Sequence, residues 1–347
     1  MLDPLTIEKL LGGQQRGVAT LAMRGALTAA SWGYGAAVAV RSLGYQVFPH
    51  AVRTVPVPVI SVGNITAGGT GKTPCVILLA RWLIALGKRV VIVSRGYGAH
   101  RQNLNDEAHD IAAELPEVPQ IQRADRVAAA IEAVQRFGAE VVLLDDGFQH
   151  RRLHRNLDIV LLDALRPFGY GHLLPRGLLR EPLAALARAD LILLTRADLV
   201  DAQQRDRIWQ VVERHRGAVA RIELAYIPYA LCAGPHQEPL HAYRRVAAFC
   251  GVGNPEAFHK TLLGCGYHVE AMKVFADHHE YSTADLDELT RWAQSLPSID
   301  AVLCTRKDWV KINRSCLGSV PLRAVAIETH VLTGEQLLRE RLARLFG

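Results

Sequence analysis

The sequence predicts an α/β protein in which a mostly parallel sheet is flanked by helices, with a second, smaller α/β domain after it. Short runs rich in Val, Ile and Leu recur along the chain, and several end in glycine or aspartate. Segments with helical periodicity separate these runs, as in parallel strands joined by crossover helices. The chain has 347 residues, half of them hydrophobic, which is enough to bury two cores.

Residues 58–86 are the most informative stretch. An apolar strand at residues 57–62 leads into the glycine-rich loop GNITAGGTGKT, and a helix begins at Lys72 and Thr73. In such a loop the backbone N–H groups and the helix N-terminus bind polyphosphate, and glycines let the backbone approach it closely. Thr66 stands where the usual pattern has its first glycine. The stretch predicts a P-loop NTPase-type nucleotide site formed by Gly68, Gly69, Thr70, Gly71, Lys72 and Thr73.

The side chains at the end of this loop have separate predicted roles. Lys72 is expected to reach the outer phosphates, and the Thr73 hydroxyl is expected to hold Mg²⁺. A buried strand within residues 139–149 ends in Asp145 and Asp146. A carboxylate at such a strand tip can hold the water shell of the magnesium ion, so both aspartates are candidates for this site.

Further runs complete the predicted sheet of the first domain at residues 89–94, 157–162 and 191–194, with helices at residues 108–115 and 125–137. The first of these runs leads into Arg95 and a glycine-containing turn, where α/β proteins place ligands. Asp106 and Glu107 precede a helix, and on their own they are typical of capping charges. Residues 150–180 are rich in cationic groups, which indicates either a solvated basic face or a pocket for an anionic substrate.

Residues 195–198 keep an alternative function open. They read Thr-Arg-Ala-Asp at a strand tip, similar to the Thr/Asn-Lys-x-Asp motif with which many P-loop GTPases bind guanine. Arg replaces Lys here. The alternative is therefore a SIMIBI-like GTPase or ATPase switch, or a metal-chaperone protein.

The apolar block at residues 18–40 has the length of a membrane span but contains Arg24 and much Ala and Gly. An arginine in mid-bilayer costs about 2.5 to 3.5 kcal/mol, so three alternatives remain: a span, a buried helix, and a helix lying in the membrane surface. The net charge of +6 favours anionic partners. The six cysteines are scattered, as in a protein of a reducing compartment.

Composition and prolines divide the chain into three predicted parts. Residues 1–50 form a membrane-associating helical region, residues 51–225 the nucleotide-binding domain, and residues 226–347 a smaller α/β domain that follows an extended linker. Asp277, His278 and His279 lie on a loop of that last domain. They suit proton handling, a metal site or a plain polar surface.

Several motifs in order resemble one family, the tetraacyldisaccharide 4'-kinases, which are the lipid A 4'-kinases of Gram-negative bacteria. The matching segments are VGNITAGGTGKTP (62–74), SRGYG (94–98), NDE (105–107), DDGFQHRRL (145–153), PFGYGHLLPRGLLREP (167–182), GVGNPEAF (251–258), FADHHEY (275–281) and TRKDWVK (305–311). The resemblance covers nearly the whole chain after residue 55. Departures at Thr66, Asn105 and Arg306 touch none of the predicted catalytic groups.

The resemblance implies transfer of the ATP γ-phosphate to the 4'-hydroxyl of a tetraacylated glucosamine disaccharide 1-phosphate, with ATP and Mg²⁺ as cofactors. It implies that Asp106 and His278 form the pair that activates the hydroxyl, with Lys72 on the phosphates and Glu107 near the metal. It implies substrate or nucleotide contacts for Arg95, Gln149, His150, Arg180 and Glu181. It further implies a monomer at the cytoplasmic face of the inner membrane, with no nucleic-acid partner.

Overall fold

The computed structural model describes residues 11–13, 17–96, 106–277 and 279–347. It divides into two compact units. The first comprises Met1–Ala225 and Val331–Gly347, and the second comprises Tyr226–His330. The unit boundary at residue 225 lies where the sequence predicts the start of the smaller domain.

The helices and strands follow one another in the α/β order that the sequence predicts. In the first half of the chain they are α1 (Val18–Val47), β1 (Val59–Asn64), α2 (Lys72–Ala85), β2 (Val90–Ser94), α3 (Asp106–Glu114), β3 (Gln120–Gln122), α4 (Arg126–Phe137), β4 (Val141–Asp145), β5 (Leu157–Asp163), β6 (Leu191–Thr195) and α5 (Ala202–Arg216). In the second half they are β7 (Ile222–Ala233), β8 (His236–Glu238), β9 (Arg245–Cys250), α6 (Pro255–Gly264), β10 (His268–Val274), α7 (Thr283–Ser295), β11 (Ala301–Thr305), α8 (Arg306–Ile312), β12 (Cys316–Leu317), β13 (Val320–Thr333) and α9 (Glu335–Ala343). Short 3-10 helices lie at Pro49–Ala51, Gly169–Gly171, Leu183–Arg188, Ala197–Leu199 and Leu240–Ala242.

The sheet of the first unit has the strand order β7-β6-β5-β1-β4-β2-β3. The pairings within it are parallel, with β1 between β4 and β5. The chain moves to one side of β1 for β2 to β4 and to the other side from β5 onward. Ligands of open α/β sheets bind at the carboxyl ends of the strands beside such a switch point, and the glycine-rich loop follows β1 there.

Both faces of this sheet are covered, as a parallel sheet requires. Leu79 and Leu83 of α2 are fully buried with the strand side chain Ile60 on one face. The other face is covered by α4, where Ala129 and Ala133 are fully buried, and by the segment around α5. Asp125 caps the N-terminus of α4 by accepting hydrogen bonds from the N–H groups of Val127 and Ala128.

The last helix corrects the predicted domain limits. The sequence assigns residues 226–347 to the second domain, whereas the structure places Val331–Gly347 in the first unit. Leu338 and Leu342 of α9 are buried in the same core as α2, and the Arg339 guanidinium lies 3.7 Å from the ring centre of Trp82. The sequence shows that α9 is amphipathic but does not show which core its apolar face joins.

In the second unit, β10, β9, β11 and β13 form a parallel sheet in that order. The core around them includes Phe249, Leu289 and Leu303. The predicted linker at residues 226–240 is in fact mostly strand, because β7 continues through Pro228 and pairs antiparallel with β8. The prolines made this segment look irregular in the sequence.

The N-terminal helix α1 is a single helix of 30 residues. Ser31 is its one buried residue, which does not fit the alternative of a buried helix. Within the part of the chain that the structure describes, no helix combines the length and the apolar character needed to cross a membrane. Several apolar side chains of α1 face solvent. They include Val18, Leu21, Trp32 and Val40, each more than 70% exposed.

Candidate active site

The loop between β1 and α2 has the shape of a phosphate-binding loop. Gly71, the N-cap of α2, has φ 82°, a left-handed conformation that glycine adopts without strain. The Asn64 side-chain amide donates to the Thr66 carbonyl at 2.7 Å and to the Thr70 hydroxyl at 3.0 Å. One buried side chain at the end of β1 therefore ties together the two ends of the loop.

The structure explains why a threonine replaces the first glycine of the usual motif. Thr66 is buried and forms an isolated antiparallel bridge with Leu179. The Ala67 N–H donates to the Leu178 carbonyl at 2.7 Å, and the Arg180 N–H donates to the Ile65 carbonyl at 2.7 Å. The loop is thus held in an extended conformation by residues 178–180, and this conformation suits a β-branched residue.

Three predicted site residues meet at the start of α2. The Lys72 ammonium is 3.6 Å from the Asp146 carboxylate, and Lys72 is only 9% exposed. The Arg180 guanidinium donates to both carboxylate oxygens of Asp146 at 2.9 Å. Burial acts to raise the pKa of Asp146, but Lys72 and Arg180 outweigh it and lower the pKa below its ordinary value. Asp146 is therefore ionised at neutral pH, between two cations.

The second aspartate lies deeper. Asp145 is the last residue of β4, pairs in register with Val62 of β1, and is 1% exposed. Thr73 is the second residue of α2. The hydroxyl and carboxylate oxygens of these residues are hard donors at the same edge of the sheet. No group of three or more His, Cys, Asp or Glu residues that could hold a metal is found in the described ranges.

Gln149 and His150 follow the aspartate pair. The Gln149 amide donates to the Asn64 carbonyl at 2.8 Å, so this side chain supports the beginning of the phosphate loop. Burial, followed by the positive charge of Arg126, lowers the pKa of His150 to about 4, although Asp125 opposes the shift. His150 is therefore neutral at physiological pH, and its imidazole can act as a hydrogen-bonding group.

Arg126 is a candidate that the sequence did not reveal. It begins α4, is 3% exposed, and interacts electrostatically with Asp146, Asp145 and Arg95. Arg95 itself is exposed at the end of β2. In the sequence Arg126 is only the first residue of an amphipathic helix, and the one available signal is that a cation stands where the helix dipole disfavours it.

Residues 195–196, at the end of β6, also hydrogen-bond to the phosphate-binding loop. The Thr195 hydroxyl donates to the Thr70 carbonyl at 2.9 Å. Arg196 donates to the Gly69 carbonyl at 3.0 Å and to the Asp163 carboxylate at 2.6 Å. The motif that suggested guanine binding thus contacts the backbone of the phosphate loop.

Glu181 and the basic stretch have partners within the protein. Glu181 is 2% exposed and forms ion pairs with Arg188 at 2.7 Å and with Arg41 of α1 at 3.3 Å. Arg151 donates to the Ser42 hydroxyl at 2.8 Å, and Arg155 pairs with Asp158 at 2.7 Å. Arg151, Arg155 and Arg180 therefore each have a different partner in the protein.

The proposed acid–base groups are only partly within the described structure. Asp106 and Glu107 begin α3, which fits the predicted helix after them, but their side chains lie outside the described part. His278 also lies outside the described residues. Its neighbour Asp277 accepts a hydrogen bond from the Lys307 ammonium at 3.0 Å, and the His279 ring stacks on Phe275 with 4.8 Å between centroids.

Comparison with known proteins identifies the family. The family described as LpxK, Tetraacyldisaccharide-1-P 4'-kinase, matches residues 23–346. The tetraacyldisaccharide 4'-kinase of Anaeromyxobacter sp. (strain Fw109-5) is 36% identical over 97% of this chain and 95% of its own length. That of Syntrophus aciditrophicus is 39% identical over 80% of this chain and 81% of its own length.

A solved structure agrees with this. The crystal structure of LpxK from Aquifex aeolicus, described as an "apo" form in complex with ATP, has a TM-score of 0.69 and 29% sequence identity. The match covers 94% of this chain and 100% of that one. The chain therefore belongs to the tetraacyldisaccharide 4'-kinase family, the kinases of lipid A biosynthesis.

Proposed function

We propose that this protein transfers the γ-phosphate of ATP to the 4'-hydroxyl of a tetraacylated glucosamine disaccharide 1-phosphate, using the site at the start of α2. The observation that supports this site is the cluster of Lys72, Asp146 and Arg180 beside the phosphate loop. Phosphoryl transfer needs mainly charge neutralisation and alignment. The loop N–H groups and Lys72 supply both for the triphosphate.

The donor set fits Mg²⁺. A hydroxyl and carboxylates are the oxygen ligands that Mg²⁺ takes, usually one or two from protein, with phosphates and water completing the shell. Ionised carboxylates are needed, and the lowered pKa of Asp146 meets that need. We assign Thr73, Asp145 and Asp146 to this ion, with Glu107 beside it. When bound, Mg²⁺ would neutralise charge on the transferred phosphate.

The hydroxyl is activated by Asp106 with His278. The Asp106 carboxylate accepts the proton of the 4'-hydroxyl as its oxygen attacks the γ-phosphorus, and the bond to the β-phosphate oxygen breaks to release ADP. We assign His278 as the second member of this acid–base pair. Gln149, His150 and Arg95 contact the substrate head, and Arg180 keeps Asp146 oriented.

Because the substrate is a lipid, the enzyme acts at a membrane surface, and α1 is suited to binding there. Most of its exposed side chains are apolar over several turns, with Val18 87% exposed, Trp32 74% and Val40 72%. A helix with such a face binds in the interfacial region of a bilayer. We propose a monomer docked through α1 on the cytoplasmic face of the inner membrane, with no nucleic-acid partner.

The test follows labelled γ-phosphate into the disaccharide in detergent micelles. Asp106→Asn and His278→Gln are each expected to lower kcat by about 10²- to 10⁴-fold, the range of acid–base catalysis. Asp110→Asn on α3 and His268→Gln on β10 are the matched controls and are expected to keep wild-type rates. Transfer that survives in Asp106→Asn would refute the base assignment. Hydrolysis of GTP without transfer would favour the switch-protein alternative.

A further inference from the structure

Residues 178–181 connect the phosphate loop with helix α1. On the loop side, the Ala67 N–H donates to the Leu178 carbonyl and the Arg180 N–H donates to the Ile65 carbonyl, both at 2.7 Å. On the helix side, the Tyr34 hydroxyl donates to the Arg180 carbonyl at 3.0 Å. The same short segment thus touches the nucleotide loop through one edge and α1 through the other.

Charge reinforces this arrangement. The Glu181 carboxylate is almost fully buried and is shared between Arg188 and Arg41, a residue of α1. Arg41 is 48% exposed, so it adds a second, partly screened ion pair to the shorter pair between Glu181 and Arg188. The adjacent residue Arg180 holds Asp146 through both of its carboxylate oxygens, and Asp146 in turn lies 3.6 Å from Lys72.

We infer that Tyr34 and Arg41 are positioning residues for the ATP site, acting through Arg180 and Glu181. This rests on the proposed roles of Lys72 at the phosphates and of Asp146 at the magnesium ion. Helix α1 then has two roles. Its exposed face carries the apolar side chains, and Tyr34 and Arg41 hold residues 178–181, which orient Asp146. Changes to Tyr34 and Arg41 should alter ATP use even where no bilayer is present.

The experiment measures kcat and KM for ATP in detergent micelles, with ATP binding measured separately in the absence of lipid. Tyr34→Phe removes only the hydroxyl, and Arg41→Gln removes the charge and shortens the side chain. Each is expected to lower kcat/KM for ATP by about three- to tenfold, the effect of about one net hydrogen bond. We expect this as a higher KM and weaker ATP binding, with KM for the lipid little changed. Arg41→Lys is expected to recover part of the loss.

Thr28→Val is the matched control. The Thr28 hydroxyl donates to the Arg24 carbonyl within α1 at 2.8 Å and has no contact with residues 178–181 among its described bonds. It is expected to leave KM for ATP unchanged. If Tyr34→Phe and Arg41→Gln bind ATP like wild type, or change only Tm, the positioning role is refuted.

Lys72→Ala separates this inference from the function on which it rests. If Lys72→Ala still transfers phosphate at the wild-type rate, the proposed site itself is wrong. If Lys72→Ala is inactive while Tyr34→Phe and Arg41→Gln are normal, only the positioning role fails.

Discussion

Gly63 allows β1 and the segment after Asp146 to approach each other closely. A Cβ atom at position 63 would lie 2.5 Å from Phe148 Cβ, 2.7 Å from its backbone nitrogen and 3.2 Å from its Cα. Two of these atoms are backbone, so a rotamer change cannot relieve the clash. Phe148 is fully buried, and the Arg188 guanidinium lies over its ring at 4.4 Å. Gly63→Ala must therefore move the chain near the site.

We expect Gly63→Ala to cost about 1 to 3 kcal/mol of unfolding free energy, the usual range for overpacking a core. In a domain of this size that lowers Tm by about 2 to 12 °C, which differential scanning calorimetry would measure. Phe148 lies between Asp146 and Gln149, so its displacement shifts residues on both sides. We expect kcat/KM for ATP to fall about ten- to a hundredfold, because small misplacements of reacting groups are costly.

The control for this substitution is Gly25→Ala, within α1. No atom lies within 4 Å of a Cβ built there. Alanine is the better helix former by about 1 kcal/mol, so this variant is expected to be as stable as wild type or more so. If Gly63→Ala melts within 1 °C or so of wild type and keeps its kinetics, the claim of a rigid close contact is refuted.

Three further predictions follow from the same structure. Burial first, and then Arg126, lowers the pKa of His150 from 6.5 to about 4. Between these pH values the unfolded chain binds a proton that the folded chain does not, so the free energy of unfolding falls as the pH drops from 6.5 to about 4. His150→Gln should flatten this part of the pH dependence when stability is measured by urea denaturation. Lys72→Ala should lower kcat/KM for ATP by about 10²- to 10³-fold in the phosphate-transfer assay, because it removes a preorganised cation from the phosphates. Trp32→Ser should weaken binding to anionic vesicles in a co-sedimentation assay without changing turnover in micelles, because its 74% exposed side chain adds apolar area to the docking face.

Each of these predictions has its own control. An unchanged pH slope in His150→Gln would show that another group titrates there. Lys260→Ala, a half-exposed lysine paired with Glu256 on α6, should leave turnover intact. Leu263→Ser removes an apolar side chain that is 51% exposed outside α1, and it should leave vesicle binding intact. Equal losses in Leu263→Ser and Trp32→Ser would contradict docking through α1.

The sequence predicted the parts of the fold that local pattern determines. The strand, loop and helix at residues 58–86 are confirmed because apolar runs and glycines specify them locally. The position of α9 was not predicted, because an amphipathic pattern does not indicate which of the two cores the apolar face packs against. The strand through Pro228 was missed because proline usually interrupts strands, and here tertiary pairing outweighs that preference.

The candidate site shows the same division. Residues in the glycine-rich loop and at strand tips, such as Lys72 and Asp146, are identifiable because their chemistry follows from their position in the chain. Arg126 and Tyr34 are not, since each acts through contacts with residues far away in sequence. The partners of the basic stretch could not be predicted for a related reason: charge composition does not show which cations are paired within the protein, as Arg155 is with Asp158.

The most direct test of the proposed phosphate transfer is to locate the phosphate that the enzyme adds. The purified protein would be given γ-labelled ATP, or GTP in a parallel reaction, with tetraacyldisaccharide 1-phosphate in micelles, and the product would be analysed by phosphorus and proton NMR. We predict one new phosphate on the 4'-oxygen, an unchanged 1-phosphate, a preference for ATP, and a rate of product formation that is strongly reduced in Lys72→Ala. Label found only in inorganic phosphate, or a product made equally well by Lys72→Ala, would contradict this prediction.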